Sequence, residues 1–374
     1  MKDALGKAEG RSLMEKKIRA GILGATGMVG QRFISLLAEH PWFEITCLAA
    51  SPRSAGKKYG EIMENRWKLD HAMPDCVKDM TIYNVNNVAQ VSSMVDMVFS
   101  AVDMTKDEIR AIEEAYACSE TPVVSNNSAH RWTPDVPMVV PEINPEHLAV
   151  LESQKKRLGT SRGFIVVKPN CSIQSYTPML NALKEFGPKV VVATTYQAIS
   201  GAGKTFKDWP EMIDNVIPYI GGEEEKSEQE PLRIWGHVED GRIVKAQGPV
   251  ITCQCIRVPV SNGHTAAVFV SFEKKPTKEQ ILQKWAEFKG LPQTLELPSA
   301  PKQFIHYFEE DNRPQAAVDR DLEGGMAVSA GRLREDTVYD YKFVGLSHNT
   351  LRGAAGGAVL IAELLVAQGL IQNK

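Results

Sequence analysis

Gly24-Ala25-Thr26-Gly27-Met28-Val29-Gly30 is the stretch on which the fold turns. It follows the apolar run Ile-Arg-Ala-Gly-Ile-Leu, residues 18–23, and opens an amphipathic segment from Met28 to Glu39. A strand, a glycine turn and a helix start are the context that a dinucleotide-binding loop requires. Glycine lets the backbone turn tightly and approach a pyrophosphate, while the helix start supplies free N–H groups and a positive dipole end. Gly24, Thr26, Gly27, Met28 and Val29 are therefore expected at a cofactor. The spacing G-x-x-G-x-x-G is a variant of the usual pattern, and a turn of purely structural use is the competing reading.

Outward from that loop the strand-turn-helix texture repeats to about Ser125. Phe-Glu-Ile-Thr-Cys-Leu-Ala-Ala (43–50), Val-Asp-Met-Val-Phe-Ser-Ala-Val (95–102) and Thr-Pro-Val-Val-Ser-Asn (121–126) read as strands, and Lys106 to Ala117 reads as a helix. Alternation of this kind predicts an α/β, Rossmann-like doubly wound parallel sheet. After Pro169 the pattern changes to one helix, Ser172 to Phe186, and long β-rich runs at 189–200, 248–260 and 264–273. An α+β catalytic and dimerisation domain with a large mixed sheet is expected there. The alanine-rich segment Leu351 to Ala367 reads as a final helix returning to the first domain. The expected division is 1–168 (with 1–16 a mobile tail), 169–345 and 346–374, two domains being the default for 374 residues.

Hydrophobic residues at 43%, charged residues at 24% and a formal net charge of -3 describe an ordinary globular surface. No field strong enough for a nucleic acid follows, so small-molecule chemistry is expected. The segment Met1 to Lys17 lacks the apolar core of a secretory signal. The longest apolar stretch, Ala354 to Leu365, is too short and glycine-interrupted to span a bilayer. A cytoplasmic protein with no membrane partner is expected. Six cysteines in so long a chain do not make a disulfide scaffold, and reduced thiols follow. Cys253 and Cys255 share one face of a strand, but no second cluster completes a zinc set, so structural burial and no metal are expected.

The second strand ends in Ala49-Ala50-Ser51-Pro52-Arg53-Ser54, where an NAD-preferring site would place an acid on the ribose. Arg53 can meet a 2'-phosphate with forked donors, and Ser51 and Ser54 can add hydrogen bonds, so NADP is favoured; a basic surface loop is the alternative. Gly201-Ala202-Gly203-Lys204-Thr205 resembles the end of a P-loop, but its first glycine would have to be residue 198, which is Ala198. ATP or GTP binding there is rejected.

Lys168-Pro169-Asn170-Cys171-Ser172 ends a valine-rich run and starts the predicted helix. A helix start stabilises thiolate, the form that attacks a carbonyl carbon. A lone cysteine is otherwise an inert packing residue, so partners decide. Arg257-Val258-Pro259-Val260-Ser261-Asn262-Gly263-His264 places a cation and an imidazole at opposite ends of a short connection between predicted strands.

With Gln197-Ala198-Ile199-Ser200-Gly201-Ala202-Gly203 and Ser125-Asn126-Asn127-Ser128-Ala129-His130-Arg131, these motifs make the chain resemble the aspartate-semialdehyde dehydrogenase family. The likeness runs from Gly24 to about Gly356 in the family's order, nearest the archaeal and fungal-like branch, which also occurs in bacteria. The resemblance implies that Cys171 attacks L-aspartyl 4-phosphate, expels phosphate and leaves a thioester, which NADPH reduces to L-aspartate 4-semialdehyde. It implies that His264 is the general acid and base. Gln197 then orients the acyl group beside Asn170, and Arg257 clamps the α-carboxylate. Glu223 and Lys226, in an acidic run that composition alone reads as a solvated helix start, fall at positions contacting the amino group and phosphate. Arg131 is the other phosphate cation. Ser200, Gly201 and Asn349 lie by the nicotinamide, although the family more often has an acid where this chain has His348.

The resemblance further implies a homodimer or homotetramer and a place in lysine, threonine and methionine biosynthesis. The nearest rival is a malonyl-CoA reductase, whose substrate lacks the amino group that Glu223 would meet. Glyceraldehyde-3-phosphate dehydrogenase shares the thioester logic but not these motifs. A catalytically silent NADP-binding module, with Cys171 only packing, is the alternative of another class.

Overall fold

The computed structural model describes residues 16–374, so the tail expected over 1–16 lies, but for Lys16, outside the described residues. Strands β1 (Ile18–Leu23), β2 (Phe43–Ala50), β3 (Ile82–Asn84), β4 (Met97–Ser100), β5 (Val123–Ser125) and β6 (Ile165–Val167) form one parallel sheet. Their order is β3-β2-β1-β4-β5-β6. The chain builds one half outward, returns to the middle and builds the other, which leaves a crevice at the carboxyl ends of β1 and β4.

Both faces of this sheet are covered, which is why its strands read as continuous apolar runs. Ile18, Ala20 and Ile22 point into a core with Phe33, Ile34 and Leu37 of the helix Met28–Leu37. Val98, Val123 and Ile165 enter the opposite core with Ile109 and Tyr116 of the helix Lys106–Cys118. That second helix starts on a capping box: Thr105 Oγ1 accepts the Glu108 N–H, and the Glu108 carboxylate accepts the Thr105 N–H at 2.9 Å.

The second sheet comprises β7 (Pro188–Gln197), β10 (Val250–Arg257), β11 (His264–Phe272), β12 (Ile305–Phe308), β13 (Val328–Glu335) and β14 (Tyr341–Ser347). A small hairpin, β8 (His237–Glu239) with β9 (Arg242–Val244), stands apart from it. The order is β10-β7-β11-β14-β13-β12. The pairs β10/β7 and β12/β13 are parallel and the rest antiparallel, so the sheet is mixed. One face is buried, through Val191, Ala193, Val268 and Val270. On the other face Thr252, Val192, Phe269 and Lys342 stand in register across four strands, exposed or half-exposed.

Two predicted helices are corrected. Residues 172–186 form a 3-10 turn (Ser172–Ser175), a short α-helix (Thr177–Ala182) and a second 3-10 turn (Lys184–Phe186). Serine hydroxyls break the first piece: Ser172 Oγ donates to Asn170 Oδ1 and Ser175 Oγ to Ser172 O, both at 2.6 Å. Tyr176 then leaves helical geometry at φ -146°, and Pro178 supplies no N–H. The closing helix likewise begins with a π-turn, Leu351–Ala355, before the α-helix Gly356–Ala367. The α-helix is buried almost throughout and is tied to the first domain by Glu363, whose carboxylate takes His40 Nε2 at 2.8 Å. No helix among the described residues is long and apolar enough to cross a membrane.

Candidate active site

Register and alternation assemble one wall of the site. In the parallel pair β10/β7, Arg257 stands opposite Gln197; in the antiparallel pair β7/β11, Tyr196 stands opposite Thr265, which sets His264 beside Gln197. Two strand ends and one strand start thus meet at the same edge. Alternation puts Gln197, Arg257 and His264 on the buried face, with exposures of 1%, 6% and 0%. Cys171 arrives from the other sheet: β6 ends at Val167, and Lys168-Pro169-Asn170 carry the chain across until Cys171 Sγ lies 3.4 Å from His264 Nε2.

The acidic run is a helix start, Glu223–Ile234, but its first residue is buried. Glu223 accepts from Asn170 Nδ2 at 3.0 Å, Gln197 Nε2 at 3.4 Å and Lys226 Nζ at 2.8 Å. Residues 223, 227 and 230 share one helix face. Glu230, buried on that face, holds Arg131 Nη1 at 2.9 Å and the Asn170 N–H at 2.6 Å. Sequence reading missed Glu230, although its spacing of seven from Glu223 was the available signal. Cys171, Asn170, Glu223, Lys226 and Arg131 line a cavity of about 280 Å³, joined by Asn126, Asn127 and Ser128 of the Arg131 motif. Met28, Val29, Ser200, Gly201 and Asn349, all expected at the cofactor, line the same cavity.

The resting sulfur differs from the expectation. Cys171 heads a 3-10 turn of 4 residues, too short for a macrodipole to accumulate. Burial and then the Glu223 charge push its thiol up to about 11, against the opposing pull of Lys168, Arg131 and Arg257. Burial and the Arg257 guanidinium push His264 down to about 3, so its imidazole is neutral. Burial also brings Lys168 down to about 7. The pair is thus a thiol beside a neutral ring, not a preformed thiolate.

Close approach explains two glycines. A Cβ on Gly201 would lie 2.9 Å from Arg257 Nη1 and 3.2 Å from His264 Nε2, and a Cβ on Gly353 would lie 2.8 Å from that of Cys171. Ala198 serves both neighbours through its backbone: its N–H donates to His264 Nδ1 at 3.0 Å and its carbonyl accepts Arg257 Nη1 at 2.7 Å. Asn349 bridges two loops, accepting the Gly263 N–H and donating to Ser200 Oγ, each at 2.8 Å. His348 accepts the Thr350 and Leu351 N–H groups through Nδ1, both at 3.2 Å, so it caps the following turn.

The glycine loop separates this cavity from a second one of about 250 Å³, on whose wall Gly24, Thr26, Gly27, Ser51 and Arg53 stand. Gly24 has φ +84°, and a Cβ there would lie 2.2 Å from Ala101 O. Arg66 adds a second guanidinium, from a segment carrying no motif, so only the folded chain reveals it. Two guanidinium groups and the Ser51 hydroxyl at the end of β2 suit a ribose 2'-phosphate, and Asp103 supplies a carboxylate elsewhere on the wall. Ser54 is not brought to this cavity: its N–H bonds Ser51 O at 3.0 Å and its side chain is buried. Cys253 and Cys255 are buried together with their sulfurs 3.9 Å apart, and no group of three or more His, Cys, Asp or Glu among the described residues could hold a metal.

Residues 19–151 match the family model described as semialdehyde dehydrogenase, NAD binding domain, and residues 179–352 match the semialdehyde dehydrogenase dimerisation domain. The chain is 45% identical over 351 residues to the aspartate-semialdehyde dehydrogenase of Methanothermobacter thermautotrophicus, covering 93% of this chain and 99% of that one. It is 42% identical to that of Schizosaccharomyces pombe, over 94% of this chain and 99% of the relative. The crystal structure of aspartate semialdehyde dehydrogenase with NADP from Candida albicans superposes with a TM-score of 0.85 at 40% identity, over 95% of this chain and 100% of that one.

Proposed function

The chain belongs to the aspartate-semialdehyde dehydrogenase family, and from that premise we propose that it reduces L-aspartyl 4-phosphate to L-aspartate 4-semialdehyde with NADPH, through a thioester on Cys171. The observation that carries the reading is Cys171 Sγ 3.4 Å from His264 Nε2, in a cavity that holds anion- and cation-binding side chains and opens onto the glycine loop.

Arg257 spends one hydrogen on Ala198 O and keeps the others for the substrate α-carboxylate. Glu223, buried and charged, receives the ammonium group in place of Lys226, which turns with Arg131 to the phosphate. Gln197 and Asn170 hold Glu223 and the acyl group in position. The sulfur adds to the acyl carbon, the carbon–oxygen bond to phosphate breaks, and phosphate departs. Bound NADPH supplies the hydride that converts the thioester to a thiohemiacetal. Collapse of that adduct breaks the carbon–sulfur bond and frees the aldehyde. The N–H groups at the start of Met28–Leu37, with Ser51, Arg53 and Arg66, hold the phosphates of NADP; Ser200, Gly201 and Asn349 face its nicotinamide.

A malonyl-CoA reductase would have no amino group for Glu223, and a silent module would have no use for the sulfur–imidazole contact. The chain divides functionally into 1–168 for the coenzyme, 169–345 for catalysis and association, and 346–374 closing onto the first domain. The half-open face of the second sheet is the surface through which copies assemble, as dimers or tetramers. Six free thiols suit the cytoplasm, where the product feeds lysine, threonine and methionine synthesis. The test is phosphate- and NADP-dependent oxidation of L-aspartate 4-semialdehyde by wild type and Cys171→Ala. A loss of about 10⁴-fold or more is expected; normal turnover by the variant would overturn the covalent mechanism.

A further inference from the structure

A further cavity, of about 290 Å³, shares Met28 and Ser200 with the cavity around Cys171. Its charged walls come from four places in the chain. Arg32 stands on the helix Met28–Leu37, Lys68 and Asp70 lie between β2 and β3, Lys204 follows β7, and Arg320 lies between β12 and β13. Four cations thus face one carboxylate. None of these five residues lines the Cys171 cavity or the Arg53 cavity, so they stand outside the walls given to substrate and coenzyme.

Part of this charge is answered. Lys68 Nζ binds Asp208 at 3.0 Å and Gly203 O at 3.2 Å. Arg320 spends Nη1 on Ser261 Oγ and Asn262 O, and its Nε faces Asp321 at 3.6 Å. Asp70 faces His71 Nδ1 at 3.3 Å. Two cations are left over. The Arg32 side chain has no ion pair or hydrogen bond among the described residues, and its Nε is buried without a partner. Lys204 Nζ lies 4.4 Å from the centre of the Trp209 ring and meets no carboxylate among the described residues.

Nothing beside Arg32 compensates for its position. Burial lowers its pKa against the pull of Asp70 and Asp321. His348 is neutral, because burial and then Arg32 and Arg320 push it down to about 3. Buried polar groups are as a rule paired, and an unpaired guanidinium N–H bears its full desolvation cost.

We propose that this cavity is a second anion site, which takes a phosphate group on Arg32 and Lys204 beside Arg320. Two unanswered positive charges match a dianion, where a single carboxylate would neutralise only one. A guanidinium offers forked donors to phosphate oxygens, and an ammonium group adds a point charge. The cavity has room for inorganic phosphate or for a phosphate monoester with a small organic remainder. Arg32 belongs to the first domain and Lys204 and Arg320 to the second, so the anion ties the two together as Lys68 and Asp208 do.

The probe is labelled inorganic phosphate, counted by equilibrium dialysis against the full-length protein at constant ionic strength. Wild type should bind one phosphate per chain more than Lys204→Glu. Arg32→Gln should weaken that same phosphate about 10- to 100-fold, the loss of a charge-assisted pair. Lys204 is exposed, so its charge reversal leaves the fold intact and decides even if Arg32→Gln does not fold. Equal phosphate binding in wild type and Lys204→Glu would overturn the site, and would mean that Asp70 or Asp321 turns to answer Arg32. Glycerol 3-phosphate and L-aspartate are the competing arms. Displacement by the ester at lower concentration than inorganic phosphate assigns the site to a phosphate monoester, and the reverse order assigns it to free phosphate. Stronger displacement by L-aspartate than by either would overturn the phosphate class. The phosphate proposed at Arg131 and Lys226 should instead be weakened in Lys226→Gln. Its absence would sink that part of the reaction reading and leave the second site standing, so the two failures are distinguishable.

Discussion

The two six-stranded sheets serve the same crevice by opposite means. The parallel sheet contributes backbone: at the end of β1, Gly24, Thr26 and Gly27 and the start of the helix that follows form the wall proposed to meet the cofactor. The mixed sheet contributes side chains: Gln197 and Arg257 end β7 and β10, and His264 starts β11. A parallel sheet gathers only strand ends at one edge, and helices cover both its faces. Antiparallel pairing brings a strand start to the same edge, and here it leaves one face without a helix. On the proposed function, coenzyme affinity rests on turn geometry, substrate recognition on charge, and association on the uncovered face.

The largest break in that comparison is expected on the uncovered face. Val192 stands between Thr252 and Phe269, and Val192→Asp would place a charge on the proposed interface once per copy, several kcal/mol in total where the face is desolvated on association. Sedimentation should show a lighter species; an unchanged mass would mean that copies meet elsewhere. Next is the substrate wall: Arg257→Ala removes a charge-assisted clamp and should raise KM for L-aspartate 4-semialdehyde about 10- to 100-fold, with Arg257→Lys recovering only part. Equal KM in all three proteins would release Arg257 from that role. The smallest effect sharpens the coenzyme side. Because Arg66 shares the cavity wall, Arg53→Ala should weaken NADP by about 10-fold and leave NAD unchanged. Equal losses for both coenzymes would mean that the loop after β2 has been misread.

Local signals were legible where one short segment contains its own cause. The glycine loop, the limits of β1 and β2 and the absence of an acid after β2 could be read directly. The helix expected over 172–186 could not, because serine hydroxyls and a non-helical Tyr176 overrule its apolar spacing. Ser54 looked equivalent to Ser51, yet the turn that bonds its N–H to Ser51 O directs it into the interior. Arg66 and Glu230 reach their sites from segments whose partners are remote in the chain.

Sequence by itself determined the α/β plan with its parallel sheet, the family and the coenzyme class, because each rests on motifs of residue types at fixed short spacings, and it singled out Cys171 as the proposed nucleophile through the resemblance those motifs carry. Only the tertiary structure decided the state of Cys171. Its thiol is pushed up to about 11 by burial beside Glu223, and its imidazole neighbour is turned by an amide from another strand end. Charge and desolvation depend on groups that meet only after folding, so no local pattern around Cys171 could have carried them.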